Sequence, residues 1–144
     1  MPASPLTQVA EGVISPAKIV STVAGNLGHA NGFPMVPPVG AGMVPELVSC
    51  HLSYAFSVAA YAAGGQVSVN LSGGGAVQSD AVEAADCVGA SAGNSWLLQA
   101  SGPTEGTPTV ANAGLNLAAK TAFTNPGTAQ GTLKYRCLYR VHEL

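Results

Sequence analysis

The sequence predicts an all-β fold: a single β-sandwich or jelly-roll-like domain of six to eight short strands, with one or two short helical turns. Residues 131–142 alternate between apolar and polar side chains, and a period of two indicates a half-buried strand. Eighteen Gly and ten Pro supply many turns, and the apolar content is mostly Ala and Val with only 6% aromatic residues. Short strands separated by such turns are typical of sandwiches and small barrels.

Length and charge limit the classes of function. A chain of 144 residues is most simply one domain. Only 8% of its residues are charged, against about 25% in ordinary domains, so much of the surface is expected to be covered by other copies or by a partner. The net charge of −2 argues against a general nucleic-acid binder, which needs a clear cationic excess.

The N-terminal residues 1–13 carry two prolines and few large apolar groups. We expect an extended arm here, which either frays or binds a partner, followed by the sandwich domain at 14–144. The arm residues chosen as candidate contacts are Pro2, Pro5, Leu6 and Val9. Deleting 1–13 is expected to leave the fold intact and to abolish binding.

The next segments alternate between weak elements and turns. Ser15-Pro16 is a typical helix start, which predicts about two helical turns over 17–24. A short strand is expected at 33–36, and the Pro- and Gly-rich residues 37–42 form a rigid turn.

Period-two alternation returns at residues 44–58, which predict a long strand. Its expected core face consists of Val48, Cys50, Leu52, Tyr54, Phe56 and Val58. Residues 67–71 alternate in the same way, so we expect them to form a hairpin with this strand. The remaining expectations are helical turns at 80–88 and strands at 94–100, 109–113, 115–119 and 131–142.

The closing strand carries three of the five Lys and Arg residues on its polar face. These are Lys134, Arg136 and Arg140. The face is either a solvated strand surface or a docking surface for an acidic partner or a neighbouring subunit.

Three cysteines occur, at Cys50, Cys87 and Cys137, without a CxxC pair. The odd number and the spacing fit neither a disulfide framework nor a zinc site. Cys50 and Cys137 fall on the apolar faces of expected strands, so buried free thiols and a reducing cytosol are expected. The first ten residues lack the pattern of a secretory signal, and no run approaches the roughly 18 apolar residues of a membrane-spanning helix.

One catalytic motif matches formally. Residues 89–93 read G-x-S-x-G, and Ser91, Glu105 and His142 follow the chain order of an α/β-hydrolase triad. That motif requires a strand before the serine and a helix after it, whereas the sequence predicts the reverse. The histidines show no metal-binding spacing. We therefore expect no catalytic residue, metal ion or cofactor.

Three stretches carry a resemblance to a known group. They are FPMVPPVGAG at 33–42, residues 59–75 with a Gly-flanked strand, and the tail at 111–142 containing ANAGLNLAAKTAF and NPGTAQGTLKYRCLYRVH. Together they resemble small proteins encoded among the structural genes of tailed bacteriophages. A Lys often follows the Gly-Ala-Gly turn in that group, whereas Met43 stands there in this chain.

The resemblance implies a single β-sandwich that acts as a capsid cement or decoration protein. The expected function is therefore a structural virion protein on the outer capsid, assembled in the host cytoplasm as a homotrimer. Its partners are the major capsid protein and itself, without nucleic acid or membrane. The alternative is a virion or tail-associated module that recognises a host-surface glycan or a partner protein. That module would use Tyr54, Tyr61 and Trp96, although core packing is the default interpretation of each.

Overall fold

The protein is described by a computed structural model that covers residues 6–72, 77–100 and 110–144. Pro2, Pro5 and Glu105 lie outside the described residues. The one helix of the described part is α1 (Pro16–Ile19). The strands are β1 (Gln8–Ile14), β2 (Phe33–Val36), β3 (Met43–Ala55), β4 (Ala62–Ala63), β5 (Val67–Leu71), β6 (Asn94–Gln99), β7 (Leu115–Ala119), β8 (Phe123–Thr124) and β9 (Thr132–Glu143). The predicted all-β class is confirmed.

The strands form antiparallel sheets whose inward faces share one core. The four-stranded sheet has the order β1-β9-β3-β6, the three-stranded sheet has the order β2-β7-β5, and β4 pairs with β8. One hydrophobic cluster draws residues from both larger sheets, including Leu52 and Leu133 from the first and Val69 and Leu117 from the second. The longest strands, β3 and β9, pair with each other at the centre of the four-stranded sheet.

The predicted faces of β9 are confirmed. Leu133 and Cys137 are fully buried, whereas Lys134 and Arg136 are exposed. This alternation arises because successive side chains of a strand point to opposite sides of the sheet.

The prediction for residues 44–58 is correct at the centre and wrong at both ends. Strand β3 ends at Ala55, and Val58, which was expected on the core face, is 71% exposed. Cys50, Leu52 and Tyr54 are buried as expected. The pairing with β9 shifts between Leu47 and Ser49, however, and Leu47 is buried while Val48 is only partly buried. A bulge inserts one residue into a strand, so the faces exchange on either side of it.

The predicted hairpin between β3 and residues 67–71 is wrong. Strand β5 pairs with β7 instead, from Val67↔Ala119 to Leu71↔Leu115. Both edges of β3 are already occupied by β9 and β6. A strand has two hydrogen-bonding edges, so β5 cannot join β3 and completes the other sheet.

Three further elements are shorter than expected or differ in kind. Helix α1 ends at Ile19, and Ser21 has a left-handed φ of 74°. No helix forms at 80–88: Val82 makes a bridge with Val67, and residues 84–89 form turns, at the start of which the Cys87 amide donates to the Glu83 carbonyl at 3.0 Å. Residues 110–113 are a turn with Asn112 at a φ of 57°, so no strand forms there.

Most of the described part of the predicted arm, residues 6–13, belongs to a strand. Residues 8–13 lie in β1, which pairs with β9 from Gln8↔Tyr139 to Ile14↔Leu133. The boundary expected between an arm and a domain therefore falls within a strand. Deleting residues 1–13 would expose the edge of β9, so that deletion affects folding as well as any contact the segment makes.

Candidate functional site: the outer face of the four-stranded sheet

The side of the four-stranded sheet that points away from the core brings several predicted contact residues together. The strand register places Glu11 beside Arg136, Arg136 beside His51, and His51 beside Leu97. We call this surface the outer face. Its central residues are Val9, Glu11, Val13, Ser49, His51, Ser53, Ser95, Leu97, Lys134, Arg136 and Leu138.

Of the predicted contact residues, Val9, Lys134 and Arg136 lie on the outer face, and Arg140 lies further along β9 on the same side. Leu6 precedes β1 and is 82% exposed. The structure thus joins the two surfaces that the sequence suggested separately, because the N-terminal strand pairs with the closing strand.

Two of the three basic residues predicted as contacts, Arg136 and Arg140, lie close to a carboxylate. Arg136 Nε lies 3.8 Å from Glu11 Oε2, and both side chains are more than half exposed. Glu46 Oε1 lies 3.5 Å from Arg140 Nη1 and 3.1 Å from His142 Nε2. Exposed ion pairs of this kind contribute little to stability. The surface therefore carries mixed charge rather than the purely basic stripe that β9 alone indicates.

Lys134 differs from the two arginines, since it has no salt bridge among the described residues. It borders a shallow depression of about 410 Å³ that also involves Glu11, Val13 and His51. Its free ammonium group is available to a carboxylate on another protein surface.

Exposed apolar side chains surround these charges. Val9, Val13 and Leu97 are 47%, 53% and 55% exposed, and small serine side chains lie between them. A broad sheet face with apolar residues and a few charges suits a contact with another protein more than a small-molecule site, which is normally concave and enclosing.

The three aromatic residues considered for glycan recognition pack in the core or against it. Tyr54 and Tyr61 are 2% and 3% exposed, and Trp96 is partly buried against the core. The Tyr61 hydroxyl donates to the Gly131 carbonyl at 2.7 Å. Core packing, the default interpretation, is confirmed for both tyrosines.

The formal catalytic motif lacks the geometry of a nucleophile elbow. Ser91 is exposed, with turns before it and β6 after it, whereas the elbow needs a strand before and a helix after. His142 contacts Glu46. Among the described residues, no group of three His, Cys, Asp or Glu side chains could hold a metal ion. Within the same residues, no helix has the length and apolar character to span a membrane.

The three cysteines are buried and free, as expected. A hydrogen bond with Cys137, reinforced by burial, raises the pKa of the Cys50 thiol far above its ordinary value. Burial raises the pKa of Cys87 to about 12. It also raises the pKa of Tyr61 to about 12. All three groups are held neutral because the interior disfavours their charged forms.

These pKa shifts predict a loss of stability in alkali. Thiols of the unfolded chain ionise near about pH 8.5, and above that pH the unfolded state loses protons that the folded state keeps. The free energy of unfolding should therefore fall by about 1.4 kcal/mol per pH unit for each of the two thiols whose pKa is raised, Cys50 and Cys87. Urea unfolding between about pH 8 and about pH 11 measures this slope. For the Cys87→Ala variant, the free energy of unfolding should fall less steeply with pH, because one ionising thiol is absent. A free energy of unfolding that does not change with pH would contradict the prediction.

A comparison of the chain with known protein families, curated proteins and solved structures finds no match.

Proposed function

We propose that this protein is a structural virion protein of a tailed bacteriophage, which binds the outer surface of the capsid as a homotrimer and stabilises the shell. The observation that carries the proposal is the outer face, a wide exposed sheet surface with apolar side chains between a few charges. A decoration protein acts by adding buried area across the joints between shell subunits, so it favours the assembled state by mass action.

The placement of the apolar residues supports docking through this face. Val9 and Val13 come from β1 and Leu97 from β6, at opposite edges of the same sheet. A partner that covers all three must lie across the whole face. Burying exposed apolar area is the main favourable contribution to most protein association.

The distribution of charge supports contacts between copies. Lys134 and Arg136 lie on the outer face, whereas Asp80, Glu83 and Asp86 are exposed in the segment that adjoins the end of β6. Lys134, which has no salt bridge among the described residues, and exposed carboxylates elsewhere on the same chain favour a head-to-tail contact. Such contacts generate rings when the rotation closes, and a trimer is one such ring.

The proposal is tested by placing a charge on the outer face, at its β1 edge. Val13→Asp should weaken binding to purified capsid shells by about tenfold or more, because the carboxylate must lose its water on docking. The matched control is Val23→Asp. Val23 lies outside the sheet, and its exposed fraction is 66%, against 53% for Val13. Sedimentation with shells that lack this protein measures the affinity, and thermal unfolding checks that both variants fold.

Three outcomes would contradict the proposal, each in a different part. Equal binding of both variants would exclude the outer face as the capsid contact. Absence of the protein from purified particles, measured by mass spectrometry, would exclude a virion role altogether. Native mass spectrometry tests the trimer separately, and a monomer at micromolar concentration would exclude it.

A further inference from the structure

Two of the three buried cysteines lie directly opposite each other in the central strand pair. Cys50 of β3 and Cys137 of β9 are register partners, and both are completely buried in the core. The Cys50 thiol donates a hydrogen bond to the Met35 Sδ at 4.0 Å, and Cys137 is the chief cause of the raised pKa of Cys50. Opposed residues of antiparallel strands have Cα atoms about 4.5–5.5 Å apart, which lies within the range of about 4.4–6.8 Å that disulfides adopt.

We propose that Cys50 and Cys137 form a cross-strand disulfide within one chain when the protein passes from a reducing to an oxidising environment, with a hydroperoxide as the oxidant. The inference depends on the strand register and on the shared core side of both residues, and is independent of the proposed function. Cys87 stays a thiol, because it lies in the turns after β5 and has no cysteine as a register partner.

The reaction proceeds in two balanced steps. The Cys50 or Cys137 sulfur attacks one oxygen of hydrogen peroxide, the O–O bond breaks, and the products are a sulfenic acid and one water molecule. The facing thiol then attacks the sulfenic sulfur, the S–S bond forms, and a second water molecule leaves. The two cysteines are oxidised by two electrons, and the peroxide is reduced.

The buried position of the two thiols admits only a small oxidant and makes the reaction slow. Both thiols are fully buried, and the Sδ of Met35 lies 4.0 Å from the Cys50 sulfur. Bulky disulfides cannot reach sulfur atoms enclosed in this way. The thiolate is the reactive form, and the raised pKa of Cys50 keeps that thiolate scarce at neutral pH. The rate of closure should therefore increase with pH.

Closure would connect the two longest strands covalently. The bond joins β3 to β9 and closes a loop that contains β4 to β8. Constraining a long segment of the unfolded chain stabilises the folded state. The oxidised protein should unfold about 10 °C higher than the reduced protein.

The experiment treats the full-length folded protein with hydrogen peroxide and then maps its peptides without reduction. The expected result is a cross-linked peptide pair that contains Cys50 and Cys137, with loss of two hydrogen atoms and with Cys87 still titratable after denaturation. Cys87→Ser should form the same cross-link, whereas Cys137→Ser and Cys137→Ala should not. Peptide mapping also separates methionine oxidation from the change at cysteine.

Three outcomes would overturn the inference. They are a cross-link that involves Cys87, oxygen addition at the cysteines without a cross-link, and a Cys50–Cys137 bond that forms only in denaturant. The last result would show that the folded register does not bring the two sulfur atoms into bonding distance.

Discussion

Phe123→Ala is expected to lower the free energy of unfolding by about 3–5 kcal/mol. Phe123 is among the largest fully buried side chains of the described residues, although it lies in β8, a strand of two residues. Its ring packs so closely against Gly64 that a Cβ atom there would overlap it. Truncation removes the apolar contacts and leaves a cavity that a backbone held by pairing can fill only in part.

Urea unfolding followed by circular dichroism measures this loss. The matched control is Thr124→Ala at the next residue, whose side chain is exposed and whose hydroxyl donates to the Ala62 carbonyl at 3.3 Å. We expect the control to change stability by less than about 1 kcal/mol. A loss below about 1.5 kcal/mol for Phe123→Ala would show that the short β4–β8 ladder is not part of the cooperative core.

Gly32→Ala is expected to destabilise the fold for two separate reasons. Gly32 has a φ of +74°, a left-handed conformation that costs a residue with a Cβ about 1–2 kcal/mol. An added Cβ would also overlap the Leu117 carbonyl oxygen and lie 2.8 Å from the Ala118 Cβ. Overpacking against β7 adds about 1–3 kcal/mol, because the backbone must move.

Gly42→Ala separates the two contributions. Gly42 has nearly the same φ, +73°, and no atom within 4 Å of the position of an added Cβ. Gly42→Ala should therefore lower the free energy of unfolding only by the cost of the left-handed conformation, about 1–2 kcal/mol. Both variants are compared by urea unfolding at equal ionic strength. Equal losses would mean that the contact between Gly32 and β7 relaxes without cost.

The alternation of β9 could be predicted because it depends on the strand itself. Leu133 and Lys134 point to opposite sides of the sheet in whatever sheet the strand joins. The bulge in β3 could not be predicted in the same way. It depends on how β3 pairs with β9 near Leu47, and the local alternation of apolar and polar residues does not indicate that shift in register.

The candidate site was only partly predictable. The sequence identified Lys134, Arg136 and Arg140 as one face, and the structure places them on one side of β9. It did not identify the carboxylates beside them. Glu11 and Glu46 belong to other strands and reach the arginines only through the pairing of β1 and β3 with β9. No signal within β9 could have revealed these neighbours.

The amino-acid sequence by itself determined that the chain is built of strands, which residues of β9 face the core, and that Cys50 and Cys137 are buried. These properties follow from local alternation and from the preference of apolar side chains for the interior. Only the tertiary structure decided that β5 pairs with β7, that β1 completes the outer face, and that Cys50 lies opposite Cys137. Strand pairing joins segments distant along the chain, and it is selected by which edges remain free when the core closes.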